Sequence, residues 1–285
     1  MAKGIAVTIG LNFVDPKHYQ GWDGELEACE ADAEDMAAIT KAKGFKTATL
    51  LTKAATRAAV VGRITEAAKK LKSGDIFFLS YSGHGGSIPD KDDDEADARD
   101  ETWCLYDAQL IDDEIGMLWT QFAKGVRIFM LSDSCHSGTV AKAAFFGALK
   151  ETGALRAVSS SDSRIGDAPV RFRSMPQSAA LRTYRANRAF YDNLQESIDP
   201  DAKDEITATV LSISGCQDNQ ESADGTFNGI FTGTLLRVWN NGKFAGSYRE
   251  FHKLIRRRMP PIQSPYYYVI GGKNPGFESG KPFEI

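Results

Sequence analysis

Two stretches of the chain share one layout and decide its fold: GDIFFLSYSGHGGS at residues 74–87 and GVRIFMLSDSCHSGT at residues 125–139. Each begins as an almost continuously apolar run, which is typical of a strand that is covered on both faces. Each run ends in serine and breaks into a glycine-containing loop with a reactive side chain, His84 in the first and Cys135 in the second. We therefore predict two buried strands with chemistry at their carboxyl ends.

Strand-like and helix-like patterns alternate along the rest of the chain. They predict strands at 5–11, 46–51, 75–82, 126–133, 206–214 and 266–270, a hairpin near 103–106, and helices at 25–43, 55–72, 112–123, 178–194, 227–239 and 248–258. This alternation indicates an α/β fold, with helices on both faces of an open, mainly parallel sheet. The expected architecture is a three-layer αβα sandwich around about six strands.

The pattern predicts a single domain over residues 1–285. A large region at 1–140 carries both glycine-containing loops, and a smaller region spans 205–285. Between them, residues 141–204 are richer in Ala, Ser and Arg, which predicts an insertion or a mobile linker. The chain begins at the first predicted strand and ends soon after the last, so no long regulatory segment is expected.

The composition excludes several classes of partner. A net charge of −4 provides no basic field for nucleic acid. The chain shows neither a secretory signal nor an apolar run of the roughly 18 residues needed to span a bilayer. We therefore expect no nucleic-acid or membrane partner and a cytoplasmic location, where thiols stay reduced.

The four cysteines form no CxxC pair and lie at no zinc-like interval from a histidine, which argues against a structural zinc site.

The two glycine-containing loops meet at one edge of the sheet if their strands are neighbours. An imidazole close to a thiol favours the thiolate, which attacks carbonyl carbons. His136 is adjacent to Cys135, but a sequence neighbour seldom reaches the nucleophile through a usable hydrogen bond. We predict Cys135 as nucleophile and His84 as its base, with the amides of Gly85 and Cys135 as an oxyanion hole. Either motif taken alone also fits a simple turn or a buried core cysteine.

At these residues the sequence resembles the metacaspases and their bacterial relatives, within the caspase-fold cysteine peptidases. YSGHGG at 81–86 is similar to the family's histidine motif, and DSCHSG at 133–138 to its cysteine motif. Four further similar segments fall in family order: ACEADAEDM at 28–36, DETWCLYD at 100–107, IDDEI at 111–115 and SGCQDNQESAD at 214–224. The resemblance covers almost the whole chain. It implies a caspase-like fold, a cysteine endopeptidase that works through an acyl-enzyme, and a monomer.

The resemblance also implies a preference for substrates. Metacaspases cleave peptides and proteins after Arg or Lys, the residue called P1, which binds an acidic pocket called S1. Carried over residue by residue, that pocket corresponds to Asp133, Asp32, Ser82 and Cys29. Period-2 alternation agrees, because Asp133 and Ser82 each lie two residues before a predicted catalytic residue. A carboxylate there pairs with guanidinium or ammonium. Asp32 taken alone also fits a solvated helix residue among other acids.

Calcium is the cofactor that the resemblance suggests. Many metacaspases bind it, and the family's ligand positions correspond to Asp100, Asp112 and Asp113. A further acidic ligand of the family falls at or near Lys142, where a cation would repel Ca²⁺. Asp112 and Asp113 also fit the N-cap and first turn of the next helix. The sequence leaves Ca²⁺ binding open, and no organic cofactor is expected.

Two alternative functions share these motifs. One is a catalytically silent caspase-fold scaffold that binds partners, and the other is a Cys-His peptidase of the same fold, separase-like or gingipain-like. Self-cleavage is a further question, because the 142–203 stretch is rich in basic residues. Its candidate sites, among which the sequence favours none, include Lys142, Lys150, Arg156, Arg171, Arg173, Arg182 and Arg185.

Overall fold

The computed structural model of the protein describes residues 2–89, 99–134, 171–215, 224, 228–260 and 263–285. Its strands are β1 Gly4–Gly10, β2 Lys46–Leu51, β3 Ile76–Ser82, β4 Gly85–Pro89, β5 Arg99–Cys104, β6 Gln109–Ile111, β7 Arg127–Asp133, β8 Thr209–Ser214 and β9 Tyr266–Gly271. Its α-helices are α1 Cys29–Ala42, α2 Arg57–Lys70, α3 Asp112–Thr120, α4 Gln177–Ala186, α5 Arg188–Glu196, α6 Ile230–Trp239, α7 Tyr248–Arg258 and α8 Pro275–Ser279.

A six-stranded sheet in the order β2-β1-β3-β7-β8-β9 forms the centre of the fold. Neighbouring strands are parallel except for β9, which runs antiparallel to β8. The predicted α/β fold with a mainly parallel sheet of about six strands is therefore confirmed. Strands β3 and β7 are neighbours, and their register pairs Ser82 with Asp133. The chain thus leaves both strands at the same edge of the sheet.

Helices cover both faces of this sheet, and the alternation of side chains along each strand builds two cores. Phe77 lies in the core shared with α2 and α3, whereas Phe78, the next residue of β3, lies in the core shared with α1, α6 and α7. Both phenylalanines are fully buried. Each face of β3 therefore packs against a different layer of helices. This is why the sequence of the strand is apolar at nearly every position.

A second, three-stranded antiparallel sheet, β4-β5-β6, stands beside the centre. The hairpin predicted near residues 103–106 corresponds to β5 and β6, but β4 was not predicted. It begins directly after His84, where the glycines indicated a loop because glycine has low strand propensity. The glycine lets the hairpin approach closely, since a Cβ on Gly86 would lie 2.6 Å from the Gln109 side-chain oxygen, which would then have to move.

The described part of the region predicted as an insertion or linker packs against the domain. The helix predicted over 178–194 is two helices, α4 and α5, which are separated at Asn187. Tyr191 of α5 is buried in a small apolar cluster with Ile88 and Ile111. Its hydroxyl also lies 2.6 Å from Nε2 of His18. Residues 141–170 lie outside the described ranges.

Membrane insertion was not expected from the sequence. Among the described residues, no helix combines the length and the apolar character needed to cross a membrane.

Two glycine-to-alanine changes test how closely α1 packs on the sheet. A Cβ on Gly10, at the end of β1, would lie 2.1 Å from the Cys29 carbonyl oxygen at the start of α1. We expect Gly10→Ala to lower the free energy of unfolding by about 1–3 kcal/mol, because backbone cannot yield as a side chain does. In contrast, Gly62 is exposed within α2 and meets nothing within 4 Å, so Gly62→Ala should raise stability by roughly 0.5–1 kcal/mol. Urea denaturation measures both, and equal stability of the two variants would contradict the expectation.

Candidate functional site

The loop after β3 is fixed by its contacts with the hairpin. The backbone carbonyl of His84 accepts hydrogen bonds from the Tyr81 hydroxyl at 2.7 Å and from the Cys104 amide at 2.9 Å. The Tyr81 ring stacks on Trp103, with 4.4 Å between the ring centroids and 7° between the planes. These contacts hold the backbone of His84 in place at the edge of the central sheet.

The imidazole of His84 is buried, and its Nε2 lies 3.0 Å from the carbonyl oxygen of Gly24. Because a carbonyl only accepts, Nε2 carries the hydrogen, and in the neutral ring Nδ1 keeps a lone pair. Nδ1 has no hydrogen-bond partner among the residues that the structure describes. The Trp22 ring packs edge-on against the imidazole at 4.8 Å. Gly24 itself has a φ of +56°, and a Cβ there would lie 3.0 Å from the His84 ring.

The protonation state of His84 follows from its surroundings. Burial lowers the pKa of His84 to about 4, against the opposing effect of the hydrogen bond to Gly24. The ring is therefore neutral at pH 7, and Nδ1 is available as a base.

The two carboxylates predicted for the pocket, Asp32 and Asp133, come together at the carboxyl edge of the sheet. Ser82 Oγ donates to Asp32 Oδ2 at 2.8 Å, and Asn228 Nδ2 donates to Asp32 Oδ1 at 2.9 Å. Thr232 donates its backbone amide at 3.2 Å and its hydroxyl at 2.8 Å to Asp133 Oδ2. Both carboxylates are buried, and these donors hold them in place.

The guanidinium of Arg173 occupies the space between these carboxylates. Its terminal nitrogens lie 2.7 Å from Asp32 Oδ2, 2.8 Å from Asp133 Oδ2 and 2.8 Å from Asp224 Oδ1. A further contact at 2.8 Å joins Arg173 to Ser82 Oγ. The side chain of Arg173 is 0% exposed, so the chain's own arginine fills the predicted S1 pocket.

Burial and mutual repulsion govern the charges of the pocket. Burial, together with the neighbouring Asp133, raises the pKa of Asp32 to about 6, although Arg173 opposes the change. Burial pulls the pKa of Arg173 down, but the carboxylates, Asp133 first, raise it well above its ordinary value. Cys29 is fully buried next to this cluster, and burial raises the pKa of its thiol, which stays protonated. Cys29 therefore contributes shape and no charge.

Sequence reasoning did not assign two members of this cluster to the pocket. Asp224 closes the SGCQDNQESAD segment but was not singled out within it. Arg173 was one of seven candidate cleavage sites with nothing to distinguish it. Neither residue stands next to a strand end in the sequence, so only the folded chain brings them to the site.

Five residues named in the predictions lie outside the described ranges: the nucleophile Cys135, its neighbour His136, and the candidate cleavage sites Lys142, Lys150 and Arg156. For the predicted oxyanion hole, the structure therefore describes the Gly85 amide and not that of Cys135. The Gly85 amide donates to the carbonyl oxygen of Arg173 at 2.9 Å.

The carboxylates predicted for calcium have other contacts. Asp100 Oδ2 accepts a hydrogen bond from Gln195 at 2.5 Å, and Asp113 Oδ1 lies 2.7 Å from Lys203 Nζ. Burial, and after it the charge of Asp113, raises the pKa of Asp112 well above its ordinary value. Within the described ranges, no group of three or more His, Cys, Asp or Glu side chains is placed to hold a metal ion. Calcium binding stays an implication of the family resemblance.

Comparison with known proteins identifies the family. The chain matches the caspase domain family over residues 3–282. Metacaspase-1 of Schizosaccharomyces pombe is 31% identical over 93% of this chain and 65% of that protein, and Metacaspase-1 of Kluyveromyces lactis is 29% identical over 92% and 63%. This chain thus spans slightly less than two thirds of each of these relatives. The crystal structure of protein GSU0716 from Geobacter sulfurreducens superposes with a TM-score of 0.86, at 55% identity over 99% of both chains. The chain therefore belongs to the caspase domain family of peptidases, and its relatives include metacaspases.

Proposed function

We propose that the protein is a cysteine endopeptidase that cleaves peptide bonds after Arg or Lys. The observation that carries this proposal is a buried pocket of three carboxylates that binds a guanidinium beside a neutral, buried histidine. The family supports peptidase chemistry, and the pocket supports the basic P1 residue. The cytoplasmic location of the protein remains a prediction from its sequence, and its monomeric state remains an implication of the family resemblance.

The proposed reaction uses a Cys-His dyad. His84 Nδ1 takes the proton of the Cys135 thiol, and the thiolate attacks the carbonyl carbon of P1. The Gly85 amide stabilises the oxyanion that develops. The carbon–nitrogen bond then breaks as His84 gives its proton to the leaving amine, which leaves a thioester on Cys135. Water, activated by His84, hydrolyses the thioester, so that the acid product departs and the thiol is restored.

The geometry of the pocket favours Arg over Lys at P1. One terminal nitrogen of the bound guanidinium contacts Asp133, and the other contacts both Asp32 and Asp224. A lysine has a single ammonium, which cannot span the same fork of acceptors. An Asp side chain at P1 would instead bury a fourth negative charge among three carboxylates, which is strongly unfavourable.

The first prediction concerns the dyad and the P1 preference. Fluorogenic peptides with Arg at P1 should be hydrolysed faster than those with Lys, and peptides with Asp should not be hydrolysed. Cys135→Ala and His84→Gln should each lower kcat/KM for the Arg peptide by about a thousandfold or more. As a control, His252→Gln replaces a half-buried histidine of α7 and should retain activity. Full activity of Cys135→Ala, or a preference for Asp, would refute the proposal.

A second prediction isolates the charge of the pocket. Asp32→Asn keeps the size of the side chain but removes its charge, and we expect kcat/KM for Arg peptides to fall at least about thirtyfold. The matched control is Asp35→Asn on α1, because Asp35 accepts a hydrogen bond from Asn228, as Asp32 does. That control should change kcat/KM less than threefold. An equal loss in both variants would indicate damage to α1 or to the fold in place of a loss of P1 binding.

A third prediction concerns the protonation of His84. In the intact Cys135→Ala protein, NMR of the imidazole should show a midpoint well below 6.5, near 4, because the ring is buried. A folded pKa below the unfolded value means that folding favours the neutral ring. The stability from this site is therefore full above pH 6.5 and is lost as the pH falls toward 4. The signal is assigned by its loss in His84→Gln, and a midpoint at or above 6.5 would contradict the buried state.

A further inference from the structure

The ring of His84 takes its position from residues 12–26, here called the Trp22 loop. The carbonyl oxygen of Gly24 lies 3.0 Å from Nε2 of His84, and the Trp22 ring packs edge-on against the imidazole, with 4.8 Å between the ring centroids. Both neighbours are uncharged groups of one loop. A shift of this loop would therefore change the hydrogen bond of the imidazole and its exposure to water together.

The tip of the Trp22 loop has a backbone that needs support. Gln20 has a φ of +53°, in the left-handed region that residues with a Cβ rarely adopt, and Gly21 follows with a φ of +86°. A left-handed backbone at a residue other than glycine persists only where the surrounding contacts hold it. These two residues stand between His18 and Trp22 in the chain, so a loss of support at His18 should relax the loop toward Trp22.

A continuous row of rings joins His84 to α5. Next to the imidazole is Trp22, whose ring lies 5.7 Å from that of Tyr19. The Tyr19 ring lies 5.0 Å from His18, and the His18 ring lies 5.9 Å from that of Tyr191 on α5. All of these contacts are edge-to-face, the geometry that aromatic pairs favour. Packed side chains of this kind can carry a displacement from one end of the row to the other.

Hydrogen bonds fasten the outer end of this row. The Tyr191 hydroxyl lies 2.6 Å from Nε2 of His18, and the backbone amide of Gln109 in β6 donates to the same hydroxyl at 3.1 Å. Burial lowers the pKa of His18, against the effect of Asp107 and Asp15, so the ring is neutral at pH 7. A neutral imidazole has one nitrogen with a free lone pair, which can accept the hydrogen of the Tyr191 hydroxyl.

We propose that Tyr191 is a positioning residue for His84, which acts through His18 and the Trp22 loop. Tyr191 lies 173 residues after His18 in the chain, so the docking of α5 brings the two together. Asn187, between α4 and α5, adds a side-chain donor 3.2 Å from the carbonyl oxygen of His18. The same junction thus holds both the side chain and the backbone of His18. This inference rests on the proposed function, in which His84 is the base.

A purely structural role for Tyr191 is the competing explanation. Its ring fills the small apolar cluster with Ile88 and Ile111, and a loss of that packing would lower stability without moving His84. A change that keeps the ring and removes only the hydroxyl separates the two roles. Tyr191→Phe is that change, and urea denaturation reports its effect on stability separately.

The first measurement is steady-state hydrolysis of an Arg peptide. We expect Tyr191→Phe to lower kcat about fivefold or more and to change KM less than about twofold, because the base is displaced while the P1 pocket is untouched. The matched control is Tyr184→Phe on α4, which also loses one hydroxyl hydrogen bond, to Asp192 at 2.6 Å. That control should keep kcat within about twofold of the wild type.

The second measurement follows the imidazole of His84 by NMR and needs no activity. In the Cys135→Ala protein, Tyr191→Phe should raise the pKa of His84 from about 4 toward 6.5. Burial is the main cause of the low value, and a looser loop admits water to the ring. Tyr184→Phe should leave the midpoint where it is. An unchanged midpoint in Tyr191→Phe overturns the inference, whatever happens to stability.

A double-mutant cycle tests the route through His18. His18→Leu removes the acceptor and should give the same loss of kcat and the same rise in the His84 midpoint. The variant with both changes should lose no more kcat than either single variant, because both break one contact. Additive losses would show that Tyr191 acts by another route and would overturn the inference. If Tyr191→Phe does not fold, the midpoint in His18→Leu decides the question.

The two measurements also separate this inference from the proposed function. If the wild type hydrolyses no Arg peptide but the midpoint rises in Tyr191→Phe, the proposed function fails and the coupling of Tyr191 to the His84 ring is supported. If the wild type hydrolyses the peptide and Tyr191→Phe keeps the kcat and the midpoint of its parent, the proposed function stands and this inference fails.

Discussion

Three buried carboxylates at one edge of the sheet must face a cation, and the architecture around them depends on this requirement. They arrive on separate elements: Asp32 on α1, Asp133 at the end of β7, and Asp224 from the stretch after β8. A carboxylate without a partner inside a protein costs several kcal/mol, so each is surrounded by donors as well as by the guanidinium. The parallel pairing of β3 with β7 brings this electrostatic site to the same edge of the sheet as His84, the proposed base.

The protonation state of His84 depends on burial and on neutral neighbours. Its ring is removed from water by Trp22 and oriented by the carbonyl of Gly24, neither of which carries charge. Many catalytic histidines are oriented by a carboxylate, which also favours the protonated ring. A backbone carbonyl orients the ring with a weaker pull on its proton, so burial dominates and the ring stays neutral. The residues before α1 thus fix both the tautomer of His84 and its readiness to accept a proton.

Much of this arrangement was predictable from the sequence, for identifiable reasons. The apolar runs that end at Ser82 and Asp133 are long enough to indicate buried strands, and the structure has strands β3 and β7 there. Strand β4 was missed because its glycines serve close packing against the hairpin, which no local pattern reveals. Asp224 and Arg173 were not assigned to the pocket for another reason. Their roles come from contacts between distant parts of the chain, and neither a charged residue in a polar stretch nor one arginine among several carries a local signal.

The guanidinium in the pocket belongs to a tethered group. Arg173 lies forty residues after Asp133 in one continuous chain. A ligand that is attached in this way competes at an effective concentration, which reaches the millimolar range for short flexible connections and falls as the connection lengthens. A cation from outside that enters the pocket would therefore have to displace a group of the same molecule, and dilution of the protein would not weaken that competition.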